Sequence, residues 1–253
     1  MSIPASAAPI VPAPGNLSAL LFDPAAAERL FSLLNPVFAP GEGLVVQFIS
    51  ANSGEGVSTL ARDFALMATQ YIDGDVLLLD LSGSSDASSQ FSHFQQCGAG
   101  DPMLALSTPQ PLAPAECGPL LRLPNRDCDN AHWQPLLSYH RLGESRLLVS
   151  RTRPDLPDTP RVANQPRFWA ELRRTVMLTV VDTPPPSRSF DGIILCGAMD
   201  AVLLVVAAES TRVPVVEELR DTLLSQGANL AGVVLNRRRL YIPRVIYRIL
   251  GRI

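Results

Sequence analysis

The 253-residue chain contains no lysine, and all 21 of its basic residues are arginines. Every mechanism that needs an amine side chain is therefore excluded. Schiff-base chemistry is one. A phosphate loop ending in Gly-Lys-Ser/Thr is another, because the point charge that reaches the terminal phosphates cannot be supplied. A net basic balance is missing too, since the formal charge is −3, and no nucleic-acid partner is expected. Cys97, Cys117, Cys128 and Cys196 stand at irregular spacing with no C-x-x-C pair; they give no disulfide framework and fit a reducing, cytoplasmic setting. The longest apolar run, residues 193–208, is cut by Asp200 and falls short of the ~20 residues that span a bilayer. Residues 1–16 are rich in Pro and Ala without positive charge. They read as a disordered tail rather than a secretory signal.

What is present is a large apolar fraction, 47%, enough for one sizeable core. Short continuous apolar runs occur at residues 44–49, 76–80, 147–150, 177–182, 201–207 and 231–236. Continuous rather than alternating runs predict strands buried on both faces, as in a parallel sheet covered by helices. Amphipathic patterns at 58–71, 164–175 and 213–226 predict helices between them, the last closed by Gly227. The order implies an α/β fold with a doubly wound, mostly parallel sheet and helices on both faces. This domain would span residues 17–240, followed by a separate segment 241–253. Between Ser82 and Gly143 prolines, glycines and polar residues break every period, predicting loops with one or two short helices.

The loop after the first strand, Ala51-Asn52-Ser53-Gly54-Glu55-Gly56-Val57-Ser58-Thr59, has the frame of a phosphate loop. Small residues let backbone N–H groups face an anion, and a hydroxyl pair opens a helix whose positive end points the same way. Val57 stands where the lysine would be. The second strand ends in Asp80 and the fourth in Asp182, so two carboxylates lie at carboxyl ends of strands, where open α/β sheets place their ligands.

These motifs resemble the cytoplasmic kinase domain of bacterial tyrosine kinases of the capsular-exopolysaccharide type, a branch of the P-loop ATPases that includes the septum-site and partition ATPases. The resemblance covers roughly residues 26–240. It is carried most specifically by Val181-Asp182-Thr183-Pro184-Pro185, Asp191, Asp200-Ala201-Val202-Leu203-Leu204-Val205-Val206 and Gly232-Val233-Val234-Leu235-Asn236. By position it implies nucleotide contacts from Gly54, Glu55, Gly56, Val57, Ser58 and Thr59, and an adenine-recognising amide at Asn236. It likewise implies a magnesium link at Ser58 and Asp182, and catalytic carboxylates at Asp80 and Asp182. The implied cofactor is ATP with Mg²⁺, or none if nucleotide no longer binds.

The departures shape the functional expectation. Val57 replaces the lysine, and Ser82 replaces the second acid of the motif after the second strand. Gly83-Ser84-Ser85-Asp86 replaces an arginine-rich segment. Glu28 matches the ring-assembly motif while Phe31 and Leu34 stand where two arginines belong, and Tyr241 and Tyr247 are the only tyrosines after residue 240. The expectation is a non-catalytic, kinase-like adaptor or regulator of exopolysaccharide or capsule synthesis. It would bind an integral membrane chain-length or export protein from the cytoplasmic side. Two alternatives stand beside it: an active kinase or ATPase in which an arginine such as Arg62 or Arg188 replaces the lysine, and a localisation switch like the septum-site ATPases.

His93-x-x-x-Cys97 and Cys128-x-x-x-His132 have the spacing of zinc ligands, but buried free cysteine is the commoner reading. Trp133 and Trp169 are expected in the core. From residue 237 to the end there are six arginines and no acid. After Pro243, Arg244, Arg248 and Arg252 recur every fourth position opposite Val245, Ile246, Ile249, Leu250 and Ile253. Such a basic amphipathic helix suits an anionic membrane surface or an acidic groove on a partner. Docking on its own domain is the alternative.

Overall fold

A computed structural model of the chain describes residues 42–82, 89–99, 101, 104–112, 117–124, 136–154, 156 and 158–237. Several expectations lie outside the described residues: the tail 1–16, Glu28, Phe31, Leu34, the 83–86 segment, Cys128, His132, Trp133, Tyr241, Tyr247 and the arginines Arg244, Arg248 and Arg252.

The continuous apolar runs become strands. They are β1 (Leu44–Ser50), β2 (Val76–Asp80), β6 (Leu147–Thr152), β8 (Leu178–Asp182), β9 (Ala201–Ala207) and β10 (Leu230–Asn236). The amphipathic patterns become α1 (Val57–Tyr71), α3 (Pro166–Thr175) and α5 (Val213–Ser225). Shorter elements are α2 (Gln90–Cys97), α4 (Asp191–Leu195) and the strands β3 (Gln110–Pro111), β4 (Leu121–Arg122), β5 (Leu137–Arg141) and β7 (Arg161–Val162). The main sheet runs β10-β9-β1-β8-β2-β6-β5-β3, and β4 pairs with β7 apart from it. All pairings among β10, β9, β1, β8, β2 and β6 are parallel.

Each face of the sheet carries its own set of helices. On one, Leu60, Phe64 and Met67 of α1 and Phe91 and Phe94 of α2 pack against Val46, Phe48, Leu78 and Val180. On the other, Phe168, Trp169 and Leu172 of α3 and Leu219 and Leu223 of α5 meet Val45, Leu77, Val181 and Leu204. Trp169 is buried as expected, its indole N–H donating to Asn164 at 3.1 Å.

Two expectations need correction. The stretch from Ser82 to Gly143 holds a helix, α2, but also β5, which pairs antiparallel with β6 from Leu137↔Thr152 to Arg141↔Leu148. Only Leu137 and His140 of β5 are buried, so no continuous apolar run marks it. Nor is every apolar run covered on both faces. β10 is the sheet's edge, with Val233 53% and Leu235 62% exposed.

Asp200 ties β1 and α3 together at the entry to β9. Its carboxylate accepts from Nε and Nη2 of Arg173 on α3 at 2.9 Å and from the Val45 N–H at 2.8 Å, while its own N–H donates to the Val45 carbonyl. Asp200→Ala removes a two-pronged charged bond and leaves a buried β1 N–H without its acceptor. We expect a loss of about 2–4 kcal/mol and a melting point lower by about 2–4 °C for each kcal/mol. Thermal denaturation checks this; an unchanged melting point would mean that the Arg173 contact contributes nothing.

Candidate functional site

The strand order creates the crevice. From β1 the chain crosses to β2 on one side, while from β8 it crosses past β1 to β9 on the other. The carboxyl ends of β1 and β8 therefore flank the point where connections diverge, the place where open sheets bind ligands. The loop following β1 and the acid ending β8 meet there.

The loop keeps the backbone shape of an anion cradle. Gly54 and Gly56 have φ of 81° and 95°, left-handed values that side chains resist. Gly56 has a second reason to be glycine, since a Cβ there would meet Asn236 Nδ2 at 2.2 Å. Glu55 is 3% exposed and folds back on the loop. Its carboxylate accepts from the Asn52 N–H and side-chain amide, both at 3.2 Å, and from the Thr211 hydroxyl. Asn236 Nδ2 donates to the Glu55 carbonyl at 2.8 Å, and Asn236 Oδ1 accepts from the Arg237 N–H. The amide expected at the adenine thus bridges the end of β10 to the loop. Val57 begins α1 and is 7% exposed, packed in the core cluster of that face. A lysine in a phosphate loop offers its charge to the ligand; Val57 gives its side chain to the core. Ser58 and Thr59 follow in the first turn, half-buried.

Asp80 and Asp182 are direct register partners on β2 and β8, both buried. Asp80 Oδ1 accepts from the Ser82 N–H and hydroxyl, and Oδ2 from the Gln90 N–H at 2.8 Å. Ser82 thus serves as a donor to Asp80. Asp182 Oδ2 accepts from Gln90 Nε2 at 2.6 Å, and the same amide nitrogen donates to the Ser58 carbonyl at 2.8 Å. Asp182 Oδ1 is buried with no hydrogen-bond partner among the described residues. Burial, then the adjacent Asp80 charge, pushes the Asp182 carboxyl up to about 7, against the opposing pull of Gln90, Ser58 and Arg62.

Gln90 was not anticipated from the sequence. It opens α2, placed by Ser89, whose hydroxyl caps the helix by accepting from the Ser92 N–H. Its Oε1 accepts from Arg62 Nε at 2.8 Å, and Arg62 Nη1 lies 2.8 Å from His93 Nε2. A guanidinium has only donors, so His93 Nε2 is the acceptor there; burial and then the guanidinium lower the His93 pKa. Burial also lowers the pKa of Arg62, with Asp63, Asp182, Cys97 and Asp80 opposing it. Of the two arginines considered as lysine substitutes, Arg62 is thus committed to Gln90 and His93, while Arg188 Nη2 reaches the Ser82 carbonyl at 3.4 Å. Cys97 lies 3.6 Å from His93.

A divalent cation tests this donor set directly. A hydroxyl and two carboxylates are the oxygen ligands that Mg²⁺ takes, and the bare Asp182 Oδ1 is an oxygen in search of a partner. The remaining carboxylate oxygens, however, are already bonded to Ser82 and Gln90, and an amide nitrogen stands against Asp182 Oδ2. With Gln90 in this position the residues do not fit a cation.

No protein-family model and no curated protein sequence matches the chain. Solved structures do. The chain is similar to the VpsO kinase domain, with 23% identity, TM-score 0.53 and coverage of 88% of this chain and 96% of that one. It is also similar to the chimerical protein CapA2B2, with 15% identity, TM-score 0.55 and coverage of 86% and 87%. At these identities the likeness shows the fold, which is that of the VpsO kinase domain and agrees with the resemblance drawn from the motifs.

The raised Asp182 pKa has a consequence for stability. An acid whose folded pKa lies above its ordinary value of 3.8 favours folding in its protonated form. That contribution is fully present below about pH 4 and is lost as pH rises through about 7. Denaturant titrations across this range should show a downward stability component in the parent that is absent in Asp182→Asn. The variant should be the more stable of the two at pH 8. Parallel pH profiles for the two proteins would refute the assignment.

Proposed function

We propose that the chain is a non-catalytic protein built on the kinase fold, acting as an adaptor or regulator of exopolysaccharide or capsule synthesis. Its partner is an integral membrane protein that sets polymer length or exports the polymer, bound from the cytoplasmic side. The polysaccharide setting and the partner rest on the family resemblance. The loss of catalysis rests on the site.

One observation carries that loss: the Gln90 amide is bonded to Asp182 and the Ser58 carbonyl, where phosphoryl transfer needs a cation and nucleotide oxygens. Val57 supports it by giving its side chain to the core, and Glu55 by placing a carboxylate on the Asn52 N–H of the loop. An active kinase would need Gln90 withdrawn, a cation bound, and Arg62 released from Gln90 and His93 to serve the phosphates. Among the described residues no helix is long and apolar enough to cross a membrane. The arginine-rich segment 241–253 is the contributor to membrane-partner attachment that its sequence suggests.

Purified protein incubated with Mg-ATP should neither release phosphate nor acquire phosphotyrosine. In a strain lacking the chain, Asp182→Asn should restore polymer amount and length as well as the parent does, and deletion of residues 241–253 should fail to restore them. Phosphotyrosine that depends on Asp182, or loss of polymer control in Asp182→Asn with normal protein levels, would overturn the non-catalytic reading.

A further inference from the structure

The orientation of the Gln90 amide is set by its surroundings. Its Oε1 faces a guanidinium N–H, and its Nε2 faces a carboxylate and a carbonyl. The flipped amide would set oxygen against carboxylate and nitrogen against guanidinium. All of its side-chain hydrogen-bonding groups are thereby used, in a residue 1% exposed. Its backbone N–H, one of the otherwise unpaired donors at the start of a helix, goes to Asp80 Oδ2. A single residue therefore contacts both acids and the first turn of α1.

We propose that Gln90 is a built-in replacement for a divalent cation, joining Ser58, Asp80 and Asp182 so that the start of α1 and the acid pair are held together without metal.

The chemistry of the replacement is graded. A cation would bring two positive charges; the amide brings two N–H dipoles, and the helix start adds a third donor with a favourable dipole. Arg62 supplies the full charge behind them. By donating to Oε1 it polarises the amide, strengthening the N–H groups on the far side, so that guanidinium charge acts on Asp182 through an intervening side chain. His93 holds the second arm of Arg62 and fixes its direction. The chain Asp182, Gln90, Arg62, His93 thus links β8, α1 and α2. This goes beyond the adaptor reading: it describes how the site is held, and its test uses melting temperature rather than phosphotyrosine or polymer, so each can fail without the other.

The full chain, melted in EDTA and in millimolar Mg²⁺, tests it. The parent should show the same Tm in both. Gln90→Glu keeps the shape but puts a third carboxylate against the pair, and Gln90→Ala opens the space. Both should melt lower than the parent in EDTA and gain Tm with Mg²⁺, by about 3–6 °C at ten times its Kd. Adding Asp182→Asn to Gln90→Glu should abolish that gain. A Mg²⁺-dependent rise in the parent that disappears in Asp182→Asn would overturn the proposal, because the cation would then displace the amide. So would folded Gln90 variants whose Tm ignores Mg²⁺. Failure of both variants to fold even with Mg²⁺ would also count against it, since the cation could not then do the amide's work.

Discussion

Asp80 and Asp182 end neighbouring strands in register and are both buried, so their charges must be neutralised, bonded or shared. Everything nearby is arranged around that demand. Ser82 turns back onto Asp80, the start of α2 gives its first N–H to the same carboxylate, and Gln90 spans to Asp182. Arg62 stands behind the amide, and the Asp182 carboxyl is pushed up to about 7 by burial and its acidic neighbour. In a phosphate-transferring site a metal ion would meet the same demand. Here the protein meets much of it with its own side chains, while Asp182 Oδ1 stays buried with no hydrogen-bond partner among the described residues.

The phosphate loop follows the same pattern. Its left-handed glycines keep the cradle's backbone, but its polar groups are turned inward: Glu55 to Asn52 and Thr211, Asn236 to the Glu55 carbonyl. Val57 joins the apolar cluster with Leu60 and Phe64. Such a loop stabilises the junction of β1, α1 and β10 by internal bonds.

Most of the architecture was legible in the sequence because buried parallel strands must be continuously apolar. Val76–Asp80 and Ala201–Ala207 were read with their observed boundaries, and Asp80 and Asp182 were placed at strand ends for the same reason. β5 was not, because an antiparallel strand near a sheet edge buries only Leu137 toward one face and His140 toward the other, too few to make a pattern. β10 was expected to be buried on both faces from its composition, yet at the sheet's edge Val233 and Leu235 stay exposed on one face. Gln90 escaped notice for a different reason. Its local signals, a serine cap and Phe91 and Phe94 on one face, announce a short helix and nothing more. Its role arises from contacts with residues 10, 32 and 92 positions away, which no local pattern contains.

The most direct test is a calorimetric titration of Mg-ATP into the purified full chain. A site completed by Gln90, with Val57 in the core and no lysine to meet the phosphates, predicts no saturable heat up to millimolar nucleotide. Binding at micromolar affinity that is lost in Asp182→Asn would contradict the account, since the acid pair would then be serving a nucleotide and its cation rather than an amide.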